Sequence, residues 1–140
     1  ASSTTGLKAH TISSTRFIVG TTANTDFTAN DANAQIDVEV TYDEEVTVNT
    51  SGGTPTLVIA NNDASGGGYG NLTLTYLASE STANSLRFRK TSAGIGNTDV
   101  LTIGGSNIAL NSGTITDTAD GSTAASLAFG TVGASKTVTS

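Results

Sequence analysis

Residues 34–43 read Ala-Gln-Ile-Asp-Val-Glu-Val-Thr-Tyr-Asp, and this alternation constrains the fold more than any other feature of the chain. Ile36, Val38, Val40 and Tyr42 fall on one side of an extended backbone, and Asp37, Glu39, Thr41 and Asp43 fall on the other. A helix would scatter that apolar set around its axis, whereas a period of two gathers it on the core face of an antiparallel strand. The period returns in Asn71–Tyr76, with Leu72, Leu74 and Tyr76 inward and Thr73 and Thr75 outward. It returns again in Ser85–Lys90, where Leu86 and Phe88 face in and Arg87 and Arg89 face out.

Shorter strands are expected at Leu7–Ser13, Arg16–Val19, Val46–Val48, Thr56–Ala60, Val100–Ile103, Asn107–Leu110, Thr114–Thr116 and Ser126–Phe129. Turn clusters such as Ser51-Gly52-Gly53, Asn61-Asn62-Asp63, Gly66-Gly67-Gly68 and Asp120-Gly121 divide them. Many short strands with closely spaced turn signals define an all-β sandwich or barrel with essentially no helix. Thr, Ser, Asn and Gly make up 69 of the 140 residues, a mixture suited to pleated surfaces and to turns with positive φ. The length admits one domain, expected over residues 7–130. Residues 1–6 read as a flexible or partner-ordered arm, and residues 131–140 as a C-terminal tail.

The charge balance limits what the chain can bind. Twelve acidic residues against six basic ones give −6. Arg87, Arg89 and Lys90 form the sole basic cluster, too little for binding nucleic acid by counterion release. No apolar run approaches the roughly 18 residues of a membrane span, and no basic-then-apolar leader opens the sequence. Without Cys, thiol nucleophiles, disulfides and cysteine-ligated metals are excluded.

The order of several motifs resembles the bacterial Ig-like repeats of surface adhesins and some phage virion proteins. Val38–Leu57 matches the strand, turn and Gly-Gly-Thr-Pro-x-Leu run of those repeats, here Gly52-Gly53-Thr54-Pro55-Thr56-Leu57. Tyr76–Ser81 and Leu86–Arg89 match the hairpin that follows, and Leu110–Ala119 matches the closing Leu-Asn-x-Gly-Thr-Ile-x-Asp-x-Ala segment. The similarity spans roughly residues 10–129, with Glu45 where the family often has Pro and Asp120-Gly121 in place of Gly-Asn. It implies an Ig-like, Greek-key antiparallel β-sandwich with a structural or adhesive role, and no catalytic apparatus to transfer.

Few residues offer chemistry of their own. Asp43, Glu44 and Glu45, joined by Asp117 and Asp120 if their loops meet, are weak candidates for a hard cation such as Ca²⁺. That ion needs six to eight oxygens, and three adjacent residues cannot supply them. The bland reading is a solvated turn whose aspartates bond their own backbone. His10 is the single imidazole, and with no nucleophile-elbow motif it reads as a surface or strand-end residue. Arg87 and Arg89 share their outward face with Asp37 and Glu39, on a strand that the Ig-like resemblance implies is adjacent, so cross-strand pairing is favoured over a basic contact site that would include Lys90. Tyr69, flanked by glycines, is an exposed contact candidate at a hairpin tip. Gly66–Gly70 is not a phosphate loop, since no Lys-Ser/Thr pair follows it.

The expectation is therefore a protein that is not an enzyme and carries no cofactor. As a capsid decoration protein of a tailed-phage virion it would bind the major capsid protein or other virion subunits, with self-association as an option and neither nucleic acid nor membrane as partner. The alternative is a module of a bacterial cell-surface adhesin, stiffened by Ca²⁺.

Overall fold

The computed structural model describes residues 10–19, 22–23, 27–28 and 34–139. The strands are β1 (Ile12–Val19), β2 (Thr22–Ala23), β3 (Phe27–Thr28), β4 (Ala34–Tyr42), β5 (Val46–Asn49), β6 (Thr56–Asn61), β7 (Leu72–Tyr76), β8 (Ser85–Ala93), β9 (Val100–Ile103), β10 (Thr114–Asp117) and β11 (Ala134–Thr139). One 3-10 turn, Ala78–Glu80, lies between β7 and β8. The chain is an all-β antiparallel sandwich.

Its larger sheet has the order β2-β1-β4-β8-β7-β6-β9-β11-β3, and β10 pairs with β5 separately. The pairings are antiparallel apart from that of β11 with β3. The large sheet curls so that β1 also lies against β11, which brings the inward side chains of its two halves into one core. The alternation of residues 34–43 sets the register at its centre. Val38 lies between Phe17 of β1 and Phe88 of β8, and all three are fully buried. Tyr76 meets Phe88 edge to face, with ring centroids 6.0 Å apart. A slip of one residue in β4 would turn this whole apolar set to solvent and bring Asp37 and Glu39 into the core.

Three sequence expectations change. Leu7–Ser13 and Arg16–Val19 were expected as two strands; the described part is one strand, β1, and residues 7–9 lie outside the described residues. Asn107–Leu110 and Ser126–Phe129 are not ladder strands. They bond sideways instead, Ala109 in a single bridge with Thr56 and Ile108 N–H to Leu127 C=O. The expected tail at 131–140 contains β11, which pairs with β9 and buries Val138 completely. Val138 is the only large apolar residue of that strand, too little alternation to announce it, so the strand exists because β9 offers it an edge. The proposed arm at residues 1–6 lies outside the described residues.

The Gly-Gly and Leu-Asn-x-Gly motifs are two halves of one close contact. A Cβ on Gly53 would stand 1.7 Å from Asn111 C=O oxygen, and one on Gly113 would stand 2.4 Å from Gly53 C=O oxygen. Asn111, at φ 52°, donates through Nδ2 to Thr54 C=O and Thr56 Oγ1. Only hydrogen fits where these two turns cross.

Tyr42 ends β4. Its hydroxyl donates to Ser126 C=O at 2.7 Å, and burial pushes the phenol's pKa well up. Tyr42→Phe deletes the donor and leaves that carbonyl underbonded, so a loss of about 1–2 kcal/mol is expected in urea unfolding, with the m-value unchanged.

Candidate functional site

The densest charge network lies on the outer side of β4 and β8. Register places Asp37 opposite Arg89 and Glu39 opposite Arg87. Arg89 grips Asp37 with both arms of its guanidinium, Nε to Oδ1 at 2.8 Å and Nη2 to Oδ2 at 2.9 Å. Arg87 Nη1 adds a third hydrogen bond to Oδ2 at 2.8 Å, and Arg16 of β1 donates to Glu39 at 2.9 Å. The side-chain hydrogen bond to Asp37 raises the Arg89 pKa above its ordinary value. Asp37 is 1% exposed. The sequence places it on the outward face, and the two arginines lying over it provide part of the cover that encloses it there. Arg87 and Arg89 are therefore spent on an intramolecular tie. Lys90 departs from them: register puts it opposite Ile36, on the other side of β8, and no ion pair is formed by it among the described residues.

The acidic candidates do not converge on one point. Glu44 and Glu45 are exposed in the turn after β4. Asp120 binds its own turn through Thr123 and Ser122, and the Thr123 hydroxyl followed by those backbone N–H groups holds its pKa below the usual carboxylate range. Asp43 and Asp117 do meet, but around His10. The imidazole is 2% exposed, with Nε2 2.7 Å from Asp117 Oδ1 and Nδ1 3.6 Å from Asp43 Oδ1. The first distance is that of an ion pair, although the ring N–H direction misses a hydrogen bond to that oxygen. His10 is thus no surface residue. Its carbonyl accepts from Ser126 N–H at 2.7 Å, while Thr11 donates to Asp43 through both N–H and Oγ1. These bonds fasten the start of the described chain to two turns and leave the ring no open approach. No group of three His, Asp or Glu among the described residues is placed to hold a metal ion.

A third buried carboxylate besides Asp37 and Asp117, which the sequence reading missed, organises the loops that carry Ser65 and Gly96. Asp99 is fully buried and accepts from Ser65 N–H and Gly96 N–H at 2.9 Å each and from Asn61 Nδ2 at 3.2 Å. Burial works to raise its pKa, and these hydrogen bonds more than reverse that, holding it at about 2. Asp63 performs the same task nearer the tip, taking Tyr69 N–H on Oδ1 and Gly68 N–H on Oδ2. The signal available in the sequence was the run Asn61-Asn62-Asp63 followed by glycines, which marks a turn but not the distant Asp99 that completes it.

The remaining broad surface is the outer side of β7, β6, β9 and β11. Alternation leaves Thr73 and Thr75, Thr56, Val58 and Ala60, Val100 and Thr102, and Ser135 and Thr137 facing out. No charged side chain stands among them, and Thr102 and Ser135 share a hydroxyl contact of 3.0 Å. No helix of the described residues is long and apolar enough to cross a membrane. Comparison with protein-family models, curated proteins and solved structures returns no match.

Proposed function

We propose that the chain is a non-enzymatic structural protein of a tailed-phage virion, decorating the head by docking its sandwich on the capsid lattice. One observation carries the docking part: a net charge of −6 sits on a molecule whose four-strand face β7-β6-β9-β11 presents only Thr, Val, Ala and Ser. Small, stiff, uncharged side chains on a sheet can approach another protein surface with little desolvation cost and little rotamer entropy to lose. Several charged groups are engaged elsewhere, Asp37 with Arg87 and Arg89, Asp43 and Asp117 with His10. The ordered motif resemblance to Ig-like virion and adhesin repeats supports the same class. Each docked face contributes a weak contact, and a lattice of many copies multiplies it through avidity.

Co-sedimentation with empty phage heads tests the reading. The wild-type protein is expected to pellet with heads and to remain in the supernatant alone. Val58→Lys places a charge at the middle of the face, and the bound fraction is expected to fall about tenfold while the melting temperature moves only slightly. Absence of co-sedimentation, or binding indifferent to Val58→Lys, would remove the proposal. Calcium-dependent self-association in the same experiment would favour the adhesin module.

A further inference from the structure

β5 and β10 form a sheet of only two strands, and their two outer edges differ. Asp117 N–H turns away from β5 and donates to Thr123 C=O at 2.8 Å, and Ala125 N–H donates to Ile115 C=O at 2.9 Å. The outer edge of β10 is therefore covered by residues 123–125. β5 has no such cover. Val46 N–H turns away from β10 and donates to Ala83 C=O at 2.9 Å. A period of two sends the N–H and C=O of Val48 to that same outer side. Among the described residues neither of these groups, nor the Val46 C=O, meets a hydrogen-bond partner. Strand edges are ordinarily blunted by Lys, Pro, a bulge or a covering loop. Val46–Asn49 contains neither Lys nor Pro, and its register with β10 is unbroken. Val48 is half-buried against the core, so apolar surface remains at the bare edge.

Charge decides what could pair there. Glu45 directly precedes β5, and alternation sets it on the outward side with Thr47 and Asn49, all three exposed. Glu44 is exposed beside it, and neither glutamate forms an ion pair among the described residues. The described arginines are engaged with Asp37 and Glu39, while Lys90 and Lys136 stand on β8 and β11. The start of the open edge thus carries unbalanced negative charge. A second copy of the chain, itself at −6, would bring like charge to it. Like charges directly opposite on paired strands destabilise the pair, and opposite charges stabilise it. An extended segment with Lys or Arg on alternate residues has the fitting chemistry.

We infer that the open edge of β5 is a docking site for an extended basic segment of another protein, which adds to the β10-β5 sheet as a third strand. Its backbone pairs with Val48 N–H and C=O, an apolar side chain covers Val48, and its Lys or Arg side chains lie beside Glu45. The edge is not part of the β7-β6-β9-β11 face, so it does not depend on what that face docks on. Titration of the ¹⁵N-labelled protein with two capped peptides of about eight residues tests it, one alternating Lys with Val and the other Glu with Val. The Lys-Val peptide is expected to shift the amides of residues 45–49, with a dissociation constant on the order of 1 mM. At roughly 10 mM peptide, hydrogen exchange at Val48 should slow about tenfold. The Glu-Val peptide should do neither. Val48→Pro deletes the outward donor and spares the β10 pairing, because that N–H faces away from β10; it should weaken binding at least about tenfold. Glu44→Lys combined with Glu45→Lys keeps the edge and reverses its charge, so Lys-Val binding should weaken about fivefold and Glu-Val binding should appear. Unchanged β4–β8 amides provide the proof of an intact fold, and if Val48→Pro does not fold the charge reversal decides alone. Val58→Lys should leave the titration as it was. No shift with the Lys-Val peptide, equal binding of the Glu-Val peptide, or binding indifferent to the charge reversal would each overturn the inference. So would Val48 protection that grows with protein concentration in the absence of peptide, since that assigns the edge to a second copy.

Discussion

Asp37→Ala is expected to destabilise the protein by about 3 kcal/mol, because it removes the shared acceptor of two arginines from a site closed to water. For a chain of this length that corresponds to a fall of roughly 10 °C in melting temperature. Asp37 takes three hydrogen bonds, and Arg87 Nε already has no partner in its buried position. Removing the carboxylate would leave two guanidinium groups side by side at the β4–β8 seam with only Glu39 for company. Their side chains retain 16% and 27% exposure, so they can turn partly outward, and this keeps the cost below that of a fully enclosed charge. Arg87→Ala should cost less, about 1 kcal/mol, since Arg89 keeps its bidentate grip. Thermal and urea unfolding of the two variants provide the check. If Asp37→Ala melts within about 2 °C of wild type, the network contributes nothing to stability.

Asp99→Asn is expected to cost about 2 kcal/mol at neutral pH and to loosen both loops around Tyr69. The amide keeps one acceptor but turns an N–H₂ group toward backbone N–H donors that need an oxygen. The pH dependence gives this prediction its sign. Asp99 titrates at about 2 in the folded protein against an ordinary 3.8. A carboxylate with a depressed folded pKa contributes stability that is complete above its unfolded pKa and is lost as pH falls toward the folded one. The gap between wild type and Asp99→Asn should therefore be constant from pH 7 down to about 5 and narrow between about 4 and 2. Hydrogen exchange at Ser65 and Gly96 should quicken in the variant while the β4–β8 amides stay protected. A gap that does not change across that interval would show that the charge of Asp99 is not what holds the loops.

The sites differ in how legible they were. The pairing of Arg87 and Arg89 with the β4 carboxylates followed from parity, which fixes which side chains share a face, together with the strand adjacency that the Ig-like resemblance implies. The burial of Asp37 did not follow, since parity says which way a residue points and not what lies over it. His10 shows the same limit more sharply. Its place in the expected strand Leu7–Ser13 gave no hint that turns more than 30 and 100 residues away would close upon it with Asp43 and Asp117. Asp99 had no local signal at all; its acceptors are filled by donors from Asn61, Ser65 and Gly96, two of them over 30 residues earlier, at the end of β6 and in the loop after it.

The sequence by itself determined the all-β antiparallel class, the strands with clear alternation and the glycines of the turns, because side-chain period and backbone φ are local properties that no distant partner can alter. The tertiary structure alone decided that β11 is a strand, that Asn107–Leu110 and Ser126–Phe129 are not, and which carboxylates are buried. Those outcomes depend on which hydrogen-bonding edge is left open and which donors arrive from afar, and both are set only when the sheet has curled into its final order.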